Sequence, residues 1–90
     1  MLKYDPLQAF LGKTPEHLKN VLFSFEQIEQ IIGTNLPPNA YNPDGTWWRN
    51  TQNRPQSRAW LEAGFKQDIV SWNESWVRFR RIRTLKGDEA

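Results

Sequence analysis

Ninety residues and 10.7 kDa are room for one domain, and a chain this short buries only about 60–65% of the surface it exposes unfolded, which excludes a deep multi-domain enzyme cleft. Zero cysteines exclude disulfides, thiolate zinc sites and a cysteine nucleophile, and a single histidine, His17, excludes most other metal and triad arrangements. Charge is uneven: residues 1–40 set three lysines against four carboxylates, net −1, while residues 41–90 hold all seven arginines and two lysines against six carboxylates, net +3.

Along the chain, Asp5 caps and Pro6 opens a first helix that runs to Leu11, with Leu7, Phe10 and Leu11 on one face and Gly12 as its stop. Asn20 to Phe23 reads as a short apolar strand. Ser24 with Gln27 three residues on has capping-box spacing, and opens a second helix whose stripe is Phe25, Ile28, Ile31 and Ile32 and whose terminator is Gly33. Leu36-Pro37-Pro38 forces an extended turn before a short segment at Asn39 to Tyr41, and Asn42-Pro43-Asp44-Gly45 is a turn signal leading into a loop. A third helix is expected from Pro55 to Ala63, with Trp60 and Leu61 inward and Gly64 ending it. Phe65 to Trp72 and Trp76 to Arg83 then flank Asn73-Glu74-Ser75 as a hairpin, and alternation sets Trp76, Arg78 and Arg80 on one face, Val77, Phe79, Arg81 and Arg83 on the other. The fold class is α+β: three helices on a small antiparallel sheet of about three strands, a single domain over residues 1–83 with a frayed tail at 84–90.

The tryptophans, five in so short a chain, sit in the basic half. Trp47, Trp48, Arg49, Asn50, Arg54, Gln56, Ser57, Arg58 and Trp60 fall within one loop and helix. Adjacent tryptophans in extended chain point in opposite directions, so at most one of Trp47 and Trp48 is expected in the core while the other faces a groove or partner. An indole face stacks on a nucleobase, guanidinium forks bind phosphates, and Asn50 and Gln56 offer the donor and acceptor pair that reads a base edge. The bland alternative is that the rings clamp helix to sheet and the arginines lie over them. The strand from Trp76 to Arg83 either extends the phosphate surface, Arg80 above all, or is a solvated edge whose charges block pairing. Glu26 and Glu29 read as a solvated helix face, and neither a phosphate loop nor a nucleophile elbow is present.

Tyr4-Asp5-Pro6-Leu7, the F-x-x-I-E-x-I-I-G run from Phe25 to Gly33, Leu36-Pro37, Trp47-Trp48-Arg49-Asn50, Gln56-Ser57-Arg58-Ala59-Trp60-Leu61 with Ala63-Gly64, and Val77-Arg78-Phe79-Arg80 together resemble a small uncharacterised domain family of bacteria and phages. The resemblance spans nearly the whole chain and implies a binding accessory, since such domains occur alone or beside other modules, some nuclease-like. It brings no activity with it. Where that pattern has a histidine before the Gln-Ser step, Asn53-Arg54-Pro55 stands here.

The expected function is non-enzymatic capture of a phosphate-bearing, nucleotide-type ligand by Trp47 or Trp48 with Arg49, Arg54, Arg58 and Arg80, Asn50, Gln56 and Ser57 completing the set and no cofactor or metal required. A phage protein built this way could sequester a nucleotide signal of host defence. A DNA-binding module using the third helix and the arginine strand, and a protein-interaction or inhibitor module, fit the same residue types. No stretch approaches the ~18 apolar residues of a membrane span and the first residues lack a signal peptide's apolar region, so a cytoplasmic setting is expected. A homodimer or higher oligomer is the expected remedy for a small core with short edge strands.

Overall fold

A computed structural model describes residues 2–83. The elements are α1 (Asp5–Gly12), β1 (Asn20–Ser24), α2 (Phe25–Ile32), a 3-10 turn (Pro38–Tyr41), α3 (Pro55–Glu62), β2 (Phe65–Ser71) and β3 (Trp76–Arg81). The expected α+β class stands: three helices and one antiparallel sheet in the order β1-β3-β2, its last two strands a C-terminal hairpin. The tail expected to fray, 84–90, lies outside the described residues.

Local chemistry fixes the elements. Ser24 and Gln27 close the capping box from both sides: the Gln27 N–H donates to Ser24 Oγ at 3.0 Å and the Ser24 N–H donates to Gln27 Oε1 at 2.7 Å. Gly33 ends α2 in the left-handed region at φ 79°, where a side chain is strained. Asp5 does not cap α1. It is the first helical residue, and its carboxylate accepts from the Leu2 N–H at 3.0 Å. Gly12 likewise lies inside α1, with Lys13 at its end.

The sheet has one covered face. Register pairs Val21 with Phe79 and Phe23 with Val77, and places Phe65, Val77 and Phe79 against the helices; Trp60 packs on Phe79 with ring centroids 5.2 Å apart. Leu7, Leu11, Phe25, Ile28 and Trp48 are among the other core residues. Phe10, expected beside Leu7 and Leu11, is instead 50% exposed, its ring edge-on to Phe23 at the border of the sheet. On α3, Trp60 is buried as expected but Leu61 is only half-buried, and Gln56, Ser57 and Ala59 are the other buried members. A bulge at Asp68 breaks the simple alternation expected of β2.

β3 stops at Arg81, short of the expected Arg83, because the chain turns back onto α3. Gly64 O accepts from the Ile82 and Arg83 N–H groups, and the Arg83 guanidinium donates to the carbonyls of Leu61 and Glu62 at the open end of α3. Arg81 is also structural: it donates to the carbonyls of Thr14, Pro15 and Leu18 and lies over the Phe65 ring at 4.6 Å.

Candidate functional site

The loop from Thr46 to Arg54 and the first turn of α3 form a closed clamp. The Arg49 N–H donates to Thr46 O at 3.1 Å, so Trp47 and Trp48 are the central pair of a turn and not successive residues of extended chain. Their side chains consequently leave the backbone on neighbouring bearings, and both enter the core, Trp47 at 7% exposure and Trp48 at 3%. This corrects the expectation that one of them faces a groove. Trp48 is sandwiched between Phe25 and Trp60, near-parallel at 5.2 and 5.7 Å, so the two faces a nucleobase would need are filled by the chain's own rings. Its indole N–H donates to Ala40 O at 2.9 Å. Trp47 stands edge-on to Trp48 and to Tyr4.

The polar residues expected to read a ligand serve the same clamp. Asn50 Oδ1 accepts from Trp60 Nε1 at 2.9 Å and from the Gln67 N–H at 2.8 Å, while its Nδ2 donates to Gln67 O at 2.9 Å. One carboxamide thereby ties the loop to α3 and stands in for a neighbouring strand at the edge of β2. Gln56, buried, donates to Trp47 O at 3.2 Å, and the buried Ser57 hydroxyl donates to Thr51 O.

The arginines do not converge. Arg54 donates to Thr46 O and Thr46 Oγ1, both at 3.2 Å, and Arg58 pairs with Glu62 at 3.6 Å one turn along α3. Arg49 is exposed with no ion pair or hydrogen bond from its side chain among the described residues. Arg80 alternates with Phe79 and so lies on the far side of the sheet from α3.

That far side is where aromatic and cationic groups do share a surface. Register aligns Asn20, Arg80 and Lys66 in one row, Leu22, Arg78 and Ile69 in the next, and Ser24, Trp76 and Ser71 in the third. The described residues leave this face uncovered: Leu22 is 56% exposed, Ile69 41%, and the Arg80 side chain 47%. Asp68, pushed out by the bulge, holds Arg78 at 2.6 Å and Arg80 at 3.8 Å, so the cations are aligned by one carboxylate and outnumber it. Arg78 Nε is buried without an acceptor. Trp76 anchors its indole N–H on Glu74 at 2.9 Å, and only serines flank it on the two neighbouring strands. Of these residues only Arg80 stood in the expected site. Alternation in the sequence groups Trp76 with Arg78 and Arg80, but nothing in it says that the helical layer covers the opposite face.

Glu29, read as a solvated helix residue, also has a specific task. Its carboxylate accepts from the Leu36 N–H and the Tyr41 hydroxyl, both at 2.8 Å, and pins the connection after α2. Burial, the hydrogen bond to Glu29 and the negative charges of Glu29 and Glu26 raise the Tyr41 pKa above its ordinary 10.0.

The geometry defines a small α+β domain with an aromatic clamp on one side of a sheet and an open basic face on the other. The chain belongs to the family described as a domain of unknown function (DUF7662), whose profile matches residues 4–82. Comparison with curated proteins and with solved structures yields no match. Among the described residues no helix is long and apolar enough to cross a membrane.

Proposed function

We propose that this protein is a non-enzymatic binding module that takes single-stranded nucleic acid across the open face of its sheet, acting in the cytoplasm of a bacterial or phage-infected cell. The observation that carries this is the sharing of one uncovered face by Trp76, Arg78, Arg80 and Lys66. Strands lie about 4.8 Å apart, so a base stacked on Trp76 leaves its flanking phosphates within reach of long cationic side chains on the same and adjacent strands. A strand suits this surface better than a lone nucleotide. Small ligands are held by concave sites, whereas the side chains of Trp76, Arg78, Arg80 and Lys66 stand in successive rows across the outer face of a three-stranded sheet.

Fluorescence anisotropy of labelled single-stranded oligonucleotides tests the proposal. Base stacking on one aromatic ring contributes about 1–3 kcal/mol, so Trp76→Ala is expected to weaken binding roughly tenfold or more. Three neutralised phosphates set a log–log salt slope of about −2 for a single strand. Asp68→Asn should act oppositely to Arg80→Ala and tighten binding, because phosphate then no longer competes with the carboxylate for Arg78 and Arg80. Absence of binding at low salt, or binding indifferent to Trp76→Ala, overturns the reading.

A further inference from the structure

Among the described residues β1 is an edge strand whose free side is unguarded. At its two ends the Arg81 N–H donates to Lys19 O at 2.7 Å and the Phe25 N–H donates to Ser75 O at 2.8 Å, bracketing a register that pairs Asn20 with Arg80 and Ser24 with Trp76 without a break. Odd-numbered residues therefore bond to β3, and the backbone groups of Asn20, Leu22 and Ser24 point outward. Ser24 is already engaged, its N–H by Gln27 and its carbonyl by the first turn of α2. That leaves Asn20 and Leu22, each with an N–H and a C=O on the open edge.

The other edge of the sheet is protected. β2 carries the bulge at Asp68 and the charged Lys66 and Asp68, and the Asn50 carboxamide bonds both backbone groups of Gln67. β1 has no bulge, no proline and no charged residue from Asn20 to Ser24. Beside it Phe10, Leu18 and Leu22 are exposed and, with Val21 and Phe23, border a concavity of about 380 Å³ that continues past Phe10 and Lys13 into a groove of about 570 Å³ between α1 and α2.

We propose that a second copy of this chain occupies this edge: β1 pairs antiparallel with β1 of the second copy about a two-fold axis through Val21, joining two sheets into one of six strands. The choice of occupant follows from self-complementarity, which a two-fold interface demands. In this register Asn20 meets Leu22 of the second copy and Leu22 meets its Asn20, so every open N–H and C=O of these residues is used, in four hydrogen bonds. Pairing ends where Ser24 turns into its helix. Val21 faces Val21 on the core side, and Lys19 comes opposite Phe23 of the second copy, its stem over the ring, with no like charges facing each other. The edge itself carries no charge by which a foreign peptide would be selected.

The chain has no cysteine, so Val21→Cys introduces its sole thiol. Directly opposed residues of a non-hydrogen-bonded antiparallel pair have Cα atoms about 4.5 Å apart, within the span of a disulfide. Light-scattering mass across a concentration series is expected to reach twice 10.7 kDa for the unmodified chain. Val21→Cys should oxidise to a covalent dimer under native conditions, faster than Leu2→Cys, although Leu2 is the more exposed position. Leu22→Pro removes an N–H that points away from β3 and is expected to give a folded monomer, its melting transition confirming the fold. A monomeric unmodified chain at high micromolar concentration, a dimer that survives Leu22→Pro, or a thiol at position 21 that links no faster than one at position 2 overturns the proposal. Oligonucleotide binding plays no part in these readouts, so the two proposals stand or fall separately.

Discussion

Trp48 joins α2 to α3 across the core, stacked on Phe25 and Trp60 and hydrogen-bonded to Ala40 O. Trp48→Ala is expected to cost about 3–5 kcal/mol in chemical denaturation, the range for deleting a buried large aromatic. Asn50→Ala leaves Trp60 Nε1 and both backbone groups of Gln67 without their partner, and should cost about 2–3 kcal/mol, whereas an exposed ligand contact would cost almost nothing. Tyr41 gives a pH signature. Its folded pKa lies above that of the unfolded chain, so the Glu29 contact stabilises fully below pH 10 and is lost as pH rises through the folded value. Tyrosinate absorbance should show both phenols titrating above 10.0, Tyr4 through burial and Tyr41 through burial and Glu29, and Glu29→Gln should lower the Tyr41 value.

Elements carry predictions of backbone conformation. Gly33 and Gly64 both have positive φ, but a Cβ at Gly33 meets nothing within 4 Å, while one at Gly64 would lie 2.5 Å from the Arg83 carbonyl oxygen. Gly33→Ala is therefore expected to cost about 1 kcal/mol by conformation alone, and Gly64→Ala clearly more, by thermal or denaturant melting. The elements themselves were legible in the sequence because their signals are local: the Ser24–Gln27 capping box, Gly33 after α2, and the Asn73-Glu74-Ser75 turn need no distant partner. Phe10 and the Asp68 bulge were not legible, since each depends on which neighbour arrives from elsewhere in the chain. The Trp47–Trp48 pair misleads for a related reason. Opposed side chains are a property of extended backbone, and a single hydrogen bond from the Arg49 N–H to Thr46 O makes that segment a turn.

On the scale of the whole molecule, the candidate site depends on topology more than on motif. The densest cluster of Trp, Asn, Gln and Ser closes on itself, and the sparser set of Trp76, Arg78, Arg80 and Lys66 is left facing outward because α2 and α3 pack on the other side of the sheet, with α1 against both of them. Pairing of two copies through β1 would lay both outer faces on one side, since the two-fold axis is normal to the sheet, and double the length of the cationic platform. The most direct test of the central claim, that the open sheet face binds and the indole clamp only supports it, is a nuclear magnetic resonance titration with a short single-stranded oligonucleotide. The five indole N–H signals and the backbone amides report each surface separately. Shifts confined to Leu22, Lys66, Ile69, Trp76, Arg78 and Arg80 are the expected result; shifts gathered on Trp47, Trp48 and Arg49 to Arg58, with the Trp76 indole unmoved, would contradict it.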